Sequence, residues 1–339
     1  MKKAVLTAAI IIINIVLSIA AVIAADYCFA KYDWTKQILL HNKVVDETSG
    51  SSEEEKAKCR INLNDFNYVL KLIDFGSSYN AYKDFFLLER FKIKPPLNNI
   101  KPDKKSILIL GCSFAYGASL EDNETIGYQL SKLTGRTVYN RGIGGFGISE
   151  MLYQTKQADF YDSIDVPLEY AFYVFIHDHI RRILLMKYVS DVYLNYEEEE
   201  GALIEKYPPF GILRCLYSFR ILMEKHIYNK WLNNESRKDE LFDLMKRYFE
   251  EMRRALQARY PDIKFVIIKY PLLEHNAVSK YIESSERWKE LEDEGFIIYD
   301  ISKEFNVNFN DSEYRLPDGH PKANAWEIVS RQLVRDLGL

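Results

Sequence analysis

From Ser106 onward the sequence sets short apolar runs between amphipathic stretches, and this alternation constrains the fold more than any other feature. The runs are SILIL (106–110), RTVYN (136–140), EYAFYVFI (169–176), KFVIIKY (264–270) and FIIYDI (296–301). Each has the length and the β-branched or aromatic content of a strand buried within a sheet. Helical patterns run from Glu124 to Leu133, Ile148 to Ala158, 236 to 259 and Asn324 to Leu337. Strand–helix alternation of this kind predicts a mostly parallel five-stranded sheet with helices on both faces, a three-layer α/β/α sandwich. The sequence shows no internal repeat.

Composition narrows the function classes. The chain has 339 residues, of which 47% are hydrophobic and 28% charged, so it can bury a large core and is not disordered throughout. The net charge is −4, which disfavours a general nucleic-acid binder. The four cysteines (Cys28, Cys59, Cys112 and Cys215) show no CxxC spacing, which argues against a zinc ribbon or a redox pair. A bridge between Cys28 and Cys59 stays open for an oxidising compartment. There is no HExxH, P-loop or dinucleotide glycine fingerprint. GIGGFG (142–147) has the glycines of a phosphate loop but no following Lys-Ser/Thr.

The N-terminus carries a different signal. Lys2 and Lys3 precede an apolar run from Ala4 to Ala25 that contains no charge, and Tyr27, Phe29, Tyr32 and Trp34 follow it. A helix of that length spans roughly 30 Å, the thickness of a bilayer's hydrocarbon core, with the aromatic residues at its edge. A cleaved signal peptide is the competing reading, with Ala24-Ala25 as the cleavage site; the run is longer than a usual secretory h-region. Either reading places the bulk of the chain on the extracytoplasmic side, periplasmic or extracellular. The expected organisation is a signal anchor or transmembrane helix over 1–25 and a juxtamembrane region and linker over 26–104. The main domain then covers 105–339, with a helical insertion at about 180–262. Within the linker, DETSGSSEEEKAK (46–58) reads as a solvated loop, 63–93 as short helices, and Pro95-Pro96 marks a boundary. Within the insertion, EEEE (197–200) reads as a solvated loop and 210–232 as an aromatic helix.

Two segments carry the chemistry. In SILILGCSFAYG (106–117) a strand runs into Gly111-Cys112-Ser113, so Ser113 sits where a helix begins and backbone N–H groups can face an oxyanion. A plain N-cap serine is the structural alternative. In LPDGHPKANAW (316–326), Asp318 and His320 flank a glycine just before the last helix. A serine nucleophile needs a base, and the base needs a carboxylate to fix its tautomer; this loop supplies both. Asp311 and Glu313 are weaker substitutes for the acid.

With these residues in view, the chain resembles the SGNH (GDSL-type) hydrolases. GCSFAYG resembles that family's first block, VYNRGIGGFG (138–147) its second, FIHDHIRR (175–182) its third and DGHP its last, in family order over about Ser106 to Leu339. The resemblance implies the SGNH, flavodoxin-like form of the α/β/α fold and a serine esterase or acyltransferase that needs no cofactor and no metal. It implies Ser113 as nucleophile, His320 as general base and Asp318 as its orienting acid, with the N–H groups of Ser113 and Gly145 and the side chain of His177 lining the oxyanion hole. Cys112 replaces the family's aspartate, Phe175 its block-three glycine and His177 its block-three asparagine, which an imidazole N–H can replace as donor. The acid and base are spaced D-x-H, as in related membrane-associated acetyltransferase-like members, with Pro317 at the more usual acid position. Asp178, Arg181 and Arg182 are candidates for contact with an anionic substrate; Asp178 can also hold its loop by accepting backbone N–H bonds. The expected partner is an ester-bearing small molecule, glycan or lipid, with the membrane as a second partner through the N-terminal helix. A non-catalytic binding or assembly role on the same fold is the alternative outside enzyme chemistry.

Overall fold

The computed structural model describes residues 18, 20–26, 28, 42–43, 45–47, 51–59, 92–96, 99–101, 104–180, 182–183, 195–199, 202–206, 235–271, 281 and 285–339. The strands are β1 (Lys92–Ile93), β2 (Ser106–Gly111), β3 (Val138–Asn140), β4 (Leu168–Phe175), β5 (Asn195–Glu199), β6 (Ala202–Lys206), β7 (Lys264–Lys269) and β8 (Ile297–Asp300). The helices are α1 (Glu53–Cys59), α2 (Ser113–Tyr116), α3 (Ile126–Thr134), α4 (Ile148–Lys156), α5 (Glu235–Gln257), α6 (Trp288–Asp293), α7 (Ile301–Glu304) and α8 (Ala323–Leu337).

Six strands form one sheet in the order β1-β3-β2-β4-β7-β8. All neighbours pair in parallel except β1, which runs antiparallel to β3 through Lys92–Tyr139 and Ile93–Val138. The five expected strands are present and β1 is a sixth. A two-residue edge strand before a proline pair has no periodicity to read.

Alternation along the strands sorts the core into two layers. Leu108, Leu110, Ala171, Tyr173, Phe175, Phe265 and Ile267 face one way, against Ile148, Met151 and Leu152 of α4, Phe242, Met245, Phe249 and Met252 of α5, and Trp288 of α6. Ile107, Ile109, Phe172, Val174, Val266 and Ile268 face the other way, against Ile126 and Leu130 of α3 and Trp326, Val329 and Leu333 of α8. The sheet is therefore buried on both sides, which is why its strands read as near-continuous apolar runs.

Three local expectations are corrected. The end of the 46–58 stretch is helical: Ser52 and Glu55 cap α1 reciprocally, with Ser52 N–H donating to Glu55 Oε2 at 2.8 Å and Glu55 N–H to Ser52 Oγ at 3.2 Å. This is the S-x-x-E capping box, and three glutamates in the first turn favour the helix further. Val45 is fully buried in the α3/α8 layer and Lys322 Nζ lies 2.9 Å from Glu55 Oε1, so this stretch packs on the main domain. Third, Glu197–Glu199 of the acidic run lie in β5, which pairs antiparallel with β6 in a separate two-stranded sheet. Pairing there overrides the low strand propensity of glutamate.

Other expectations fall outside the described residues: the segments 63–91 and 210–232, and the side chains of Cys59 and Cys215. Cys28 carries an exposed free thiol. Among the described residues no helix is long and apolar enough to cross a membrane. Of the expected N-terminal span, Ser18 and Ala20–Ala25 are described, and all of them are helical.

Candidate active site

The sheet reverses direction of growth at β2: β3 pairs on one side of it and β4 on the other. In an open α/β sheet the crevice beyond the strand C-termini at that point is where ligands bind. Gly111 at the end of β2 pairs with Val174 near the end of β4, so the loops carrying Ser113 and His177 leave the sheet side by side.

The turn into Ser113 depends on Gly111. Its φ is +136°, and a Cβ there would lie 2.8 Å from the Val174 carbonyl oxygen. No L side chain fits that conformation and that approach. Cys112 then caps the one-turn helix α2 in extended conformation (φ −95°, ψ −154°), which lifts Ser113 clear of the strand. Burial pushes the fully buried Cys112 thiol above its ordinary value.

The second loop packs directly on this turn. Asn140 bridges the two: its Nδ2 donates to the Ala115 carbonyl at 2.8 Å and its Oδ1 accepts the Gly142 N–H at 2.9 Å. Ile143 N–H donates to the Gly111 carbonyl at 3.0 Å. A Cβ on Gly142 would meet the Tyr116 nitrogen at 2.4 Å, so only glycine allows the approach. Gly145, at φ +85°, is exposed at the tip. Among the described residues the N–H groups of Ser113 and Gly145 have no acceptor.

His320, the candidate base, arrives from a distant part of the sequence. Leu316 N–H donates to the His320 carbonyl at 2.8 Å and Lys322 N–H to the Tyr314 carbonyl at 2.8 Å, closing a tight loop before α8. Arg315, 3% exposed, ties that loop down, donating to the Phe309 carbonyl at 2.9 Å, the Gly319 carbonyl at 2.9 Å and the Pro271 carbonyl. His320 Nε2 lies 2.8 Å from Ser113 Oγ, across 207 residues of chain. Its ring is 5.0 Å from that of Phe114, which fixes the plane of the imidazole.

Asp318 stands behind the histidine. Its Oδ1 accepts the His320 backbone N–H at 3.0 Å, and its Oδ2 lies 3.0 Å from His320 Nδ1. The contact is close but not aligned as a hydrogen bond. The other oxygen of the same carboxylate is committed to its own loop's backbone. Ser119, whose φ of +63° is rare for a residue with a side chain, donates its hydroxyl to Asp318 Oδ2 at 3.3 Å. Ser113, Asp318 and His320 are all partly exposed, as a site open to substrate requires.

The structure thus brings together Ser113, His320 and Asp318. Asp311 instead accepts from Asn308 at 2.7 Å. His177 is buried at the end of β4, its ring 6.0 Å from Phe175. Arg181 lies outside the described residues. Arg182, the other candidate for an anionic substrate, is largely buried and engaged with Asp178, Nε to Oδ2 at 2.8 Å and Nη2 to Oδ2 at 2.7 Å. The i, i+4 spacing in one helical turn makes that pairing available. Beside it, His179 is fully buried against the Tyr173 hydroxyl at 3.1 Å, and burial holds its imidazole well below the usual histidine range. Sequence reasoning missed Asn140, Ser119, Arg315 and Glu150. Only Asn140 carried a legible signal, as the asparagine of the N-x-G-x-x-G spacing.

No family model matches the chain, and no curated protein matches it. Solved structures do. A protein of the lipolytic G-D-S-L family from Desulfitobacterium hafniense is similar at 9% identity and TM-score 0.41, over 68% of this chain and 99% of that one. A carbohydrate esterase family 2 enzyme from Corynascus thermopiles is similar at 13% identity and TM-score 0.39, over 71% and 68%. A family two carbohydrate esterase from Clostridium thermocellum, solved with cellohexaose, is similar at 10% identity and TM-score 0.38, over 70% and 66%.

Proposed function

We propose that the chain is a serine esterase of the SGNH type that removes ester-linked acyl groups from a glycan or lipid. The observation that carries this reading is the 2.8 Å approach of His320 Nε2 to Ser113 Oγ, with Asp318 on the other side of the ring. Nucleophile and base within hydrogen-bond reach, and the base backed by a third group, is the arrangement that activates a weak hydroxyl nucleophile. His320 takes the Ser113 proton as Oγ attacks the ester carbonyl. The N–H groups of Ser113 and Gly145, and the His177 side chain that the resemblance adds to them, are the donors for the developing oxyanion. The ester C–O bond then breaks, the leaving alkoxide takes the proton from His320, and water attacks the acyl-enzyme by the same route in reverse. Transfer of the acyl group to a second hydroxyl instead of water uses the same residues.

The apolar run from Ala4 to Ala25 supports a membrane tether on the extracytoplasmic face, where O-acyl groups of envelope carbohydrate or lipid are within reach. The test of the catalytic reading is p-nitrophenyl acetate turnover by the full-length chain beside Ser113→Ala and His320→Ala. Both variants are expected to lose on the order of 10^4-fold or more in kcat. A wild type with no turnover above the uncatalysed rate overturns the reading.

A further inference from the structure

The loop that carries Gly145 is gripped by two ionisable side chains, Glu150, which is buried, and Arg182, which is largely so. Arg182 donates through Nη1 to the Phe146 carbonyl, in the peptide one residue past Gly145, while its Nε and Nη2 hold Asp178. Glu150, 5% exposed, accepts the Gly147 N–H through Oε2 at 2.6 Å and the Ser149 hydroxyl through Oε1 at 3.0 Å. Within the turn, Phe146 N–H donates to the Ile143 carbonyl at 3.1 Å. Both ends of the Phe146–Gly147 unit are therefore held, the carbonyl by the Arg182 guanidinium and the following N–H by the Glu150 carboxyl, whose pKa burial raises. The fit is close: a Cβ on Gly147 would come within 3.1 Å of Arg182 Cβ.

The grip spans two loops. Asp178 and Arg182 belong to the helical turn after β4 that also presents His177. One guanidinium thus links the segment bearing His177 to the segment bearing Gly145. Lysine cannot duplicate this, because one ammonium lacks the planar fork that serves a carboxylate and a carbonyl at once. Burial would lower the Arg182 pKa, but Asp178, Cys112 and Glu150 around it raise it, so it stays charged throughout the working range.

We propose that Arg182 is a positioning residue for the oxyanion hole: by holding the Phe146–Gly147 peptide it sets the turn that presents the Gly145 N–H in register with the His177 turn, and it touches no substrate. The inference rests on the esterase reading and deepens it. Only interactions that strengthen in the transition state change kcat, so an effect confined to oxyanion geometry appears in kcat and leaves KM in place.

The experiment measures kcat and KM for p-nitrophenyl acetate in wild type, Arg182→Lys and Arg182→Ala, with thermal unfolding recorded for each. Arg182→Lys keeps a positive charge opposite Asp178 and so keeps the fold where Arg182→Ala fails to. In the lysine variant, kcat falls about 10- to 100-fold while KM stays within about twofold, since small misplacements of this kind cost up to about 10^2. Where Arg182→Ala folds, millimolar guanidinium ion restores part of its kcat and has no such effect on wild type. An active wild type with kcat unchanged in the folded Arg182→Lys variant overturns the positioning role alone. A rise in KM at constant kcat overturns it in favour of substrate contact. An inert wild type overturns the esterase reading and this inference together.

Discussion

At the residue scale, the chemistry turns on which of two adjacent groups attacks. Cys112 and Ser113 are neighbours, and a thiol is intrinsically the better nucleophile. The structure separates them by direction and by charge state. Cys112 is fully buried, and burial raises its thiol pKa, so at neutral pH it is a protonated filler of the core. Ser113 alone faces His320. Cys112→Ala is therefore expected to keep kcat within about threefold of wild type, because it removes neither nucleophile nor base. Iodoacetamide is expected to leave p-nitrophenyl acetate turnover intact; loss of turnover in a folded Cys112→Ala variant, with Ser113→Ala still active, would make the thiol the nucleophile. The acid shows the limit of reading a motif as spacing. Asp318 was legible as the carboxylate nearest His320, but its off-line approach and its Ser119 partner were not, because both depend on the backbone path of the loop.

At the scale of elements, most of the fold was written in the sequence because a buried parallel strand is a short apolar run. β2, β4 and β7 were found nearly to the residue. The elements that escaped depend on pairing or capping, as β1, β5 and β6 do on their partners and α1 on the Ser52–Glu55 box. The outer strands are joined by a contact of another kind. Lys269 of β7 and Asp300 of β8 form a buried ion pair at 2.6 Å, with the Lys269 ammonium 4.6 Å from the Trp288 ring centre. Burial alone would raise the Asp300 carboxyl, but Lys269 overrides this and holds it below the usual carboxylate value. Because the folded-state pKa is depressed, the pair stabilises fully above the unfolded-state value near 4 and is lost as pH falls through the folded one. Asp300→Asn leaves a buried ammonium without its counter-ion and is expected to cost about 3–5 kcal/mol at neutral pH. Urea unfolding at pH 7 and pH 3 checks both points: the gap between wild type and variant narrows at the lower pH.

At the scale of the whole molecule, the groups proposed to be catalytic come from distant parts of the sequence. Ser113 follows the second strand and His320 precedes the last helix, and the central sheet's parallel order brings both to one edge. The order of the motif blocks was readable, and so was the class of sheet. What joins the blocks was not: Asn140 between the first two, Arg182 between the second and third, and Arg315 under the last. Each of these is a polar side chain holding a backbone carbonyl far away in sequence, and no periodicity announces such a contact. α1 adds to this a tie at Lys322, two residues past the base, so the segment before the sheet also bears on the catalytic loop.

The central claim is that Ser113 is a nucleophile activated by His320. A fluorophosphonate probe tests it most directly, because the probe forms a covalent bond only with an activated hydroxyl. The account predicts one adduct per chain, located on Ser113 by peptide mass spectrometry, with labelling abolished in Ser113→Ala and slowed at least about 10^2-fold in His320→Ala. Absence of an adduct on Ser113, or equal labelling of the His320→Ala variant, would contradict it and leave the fold with a binding role.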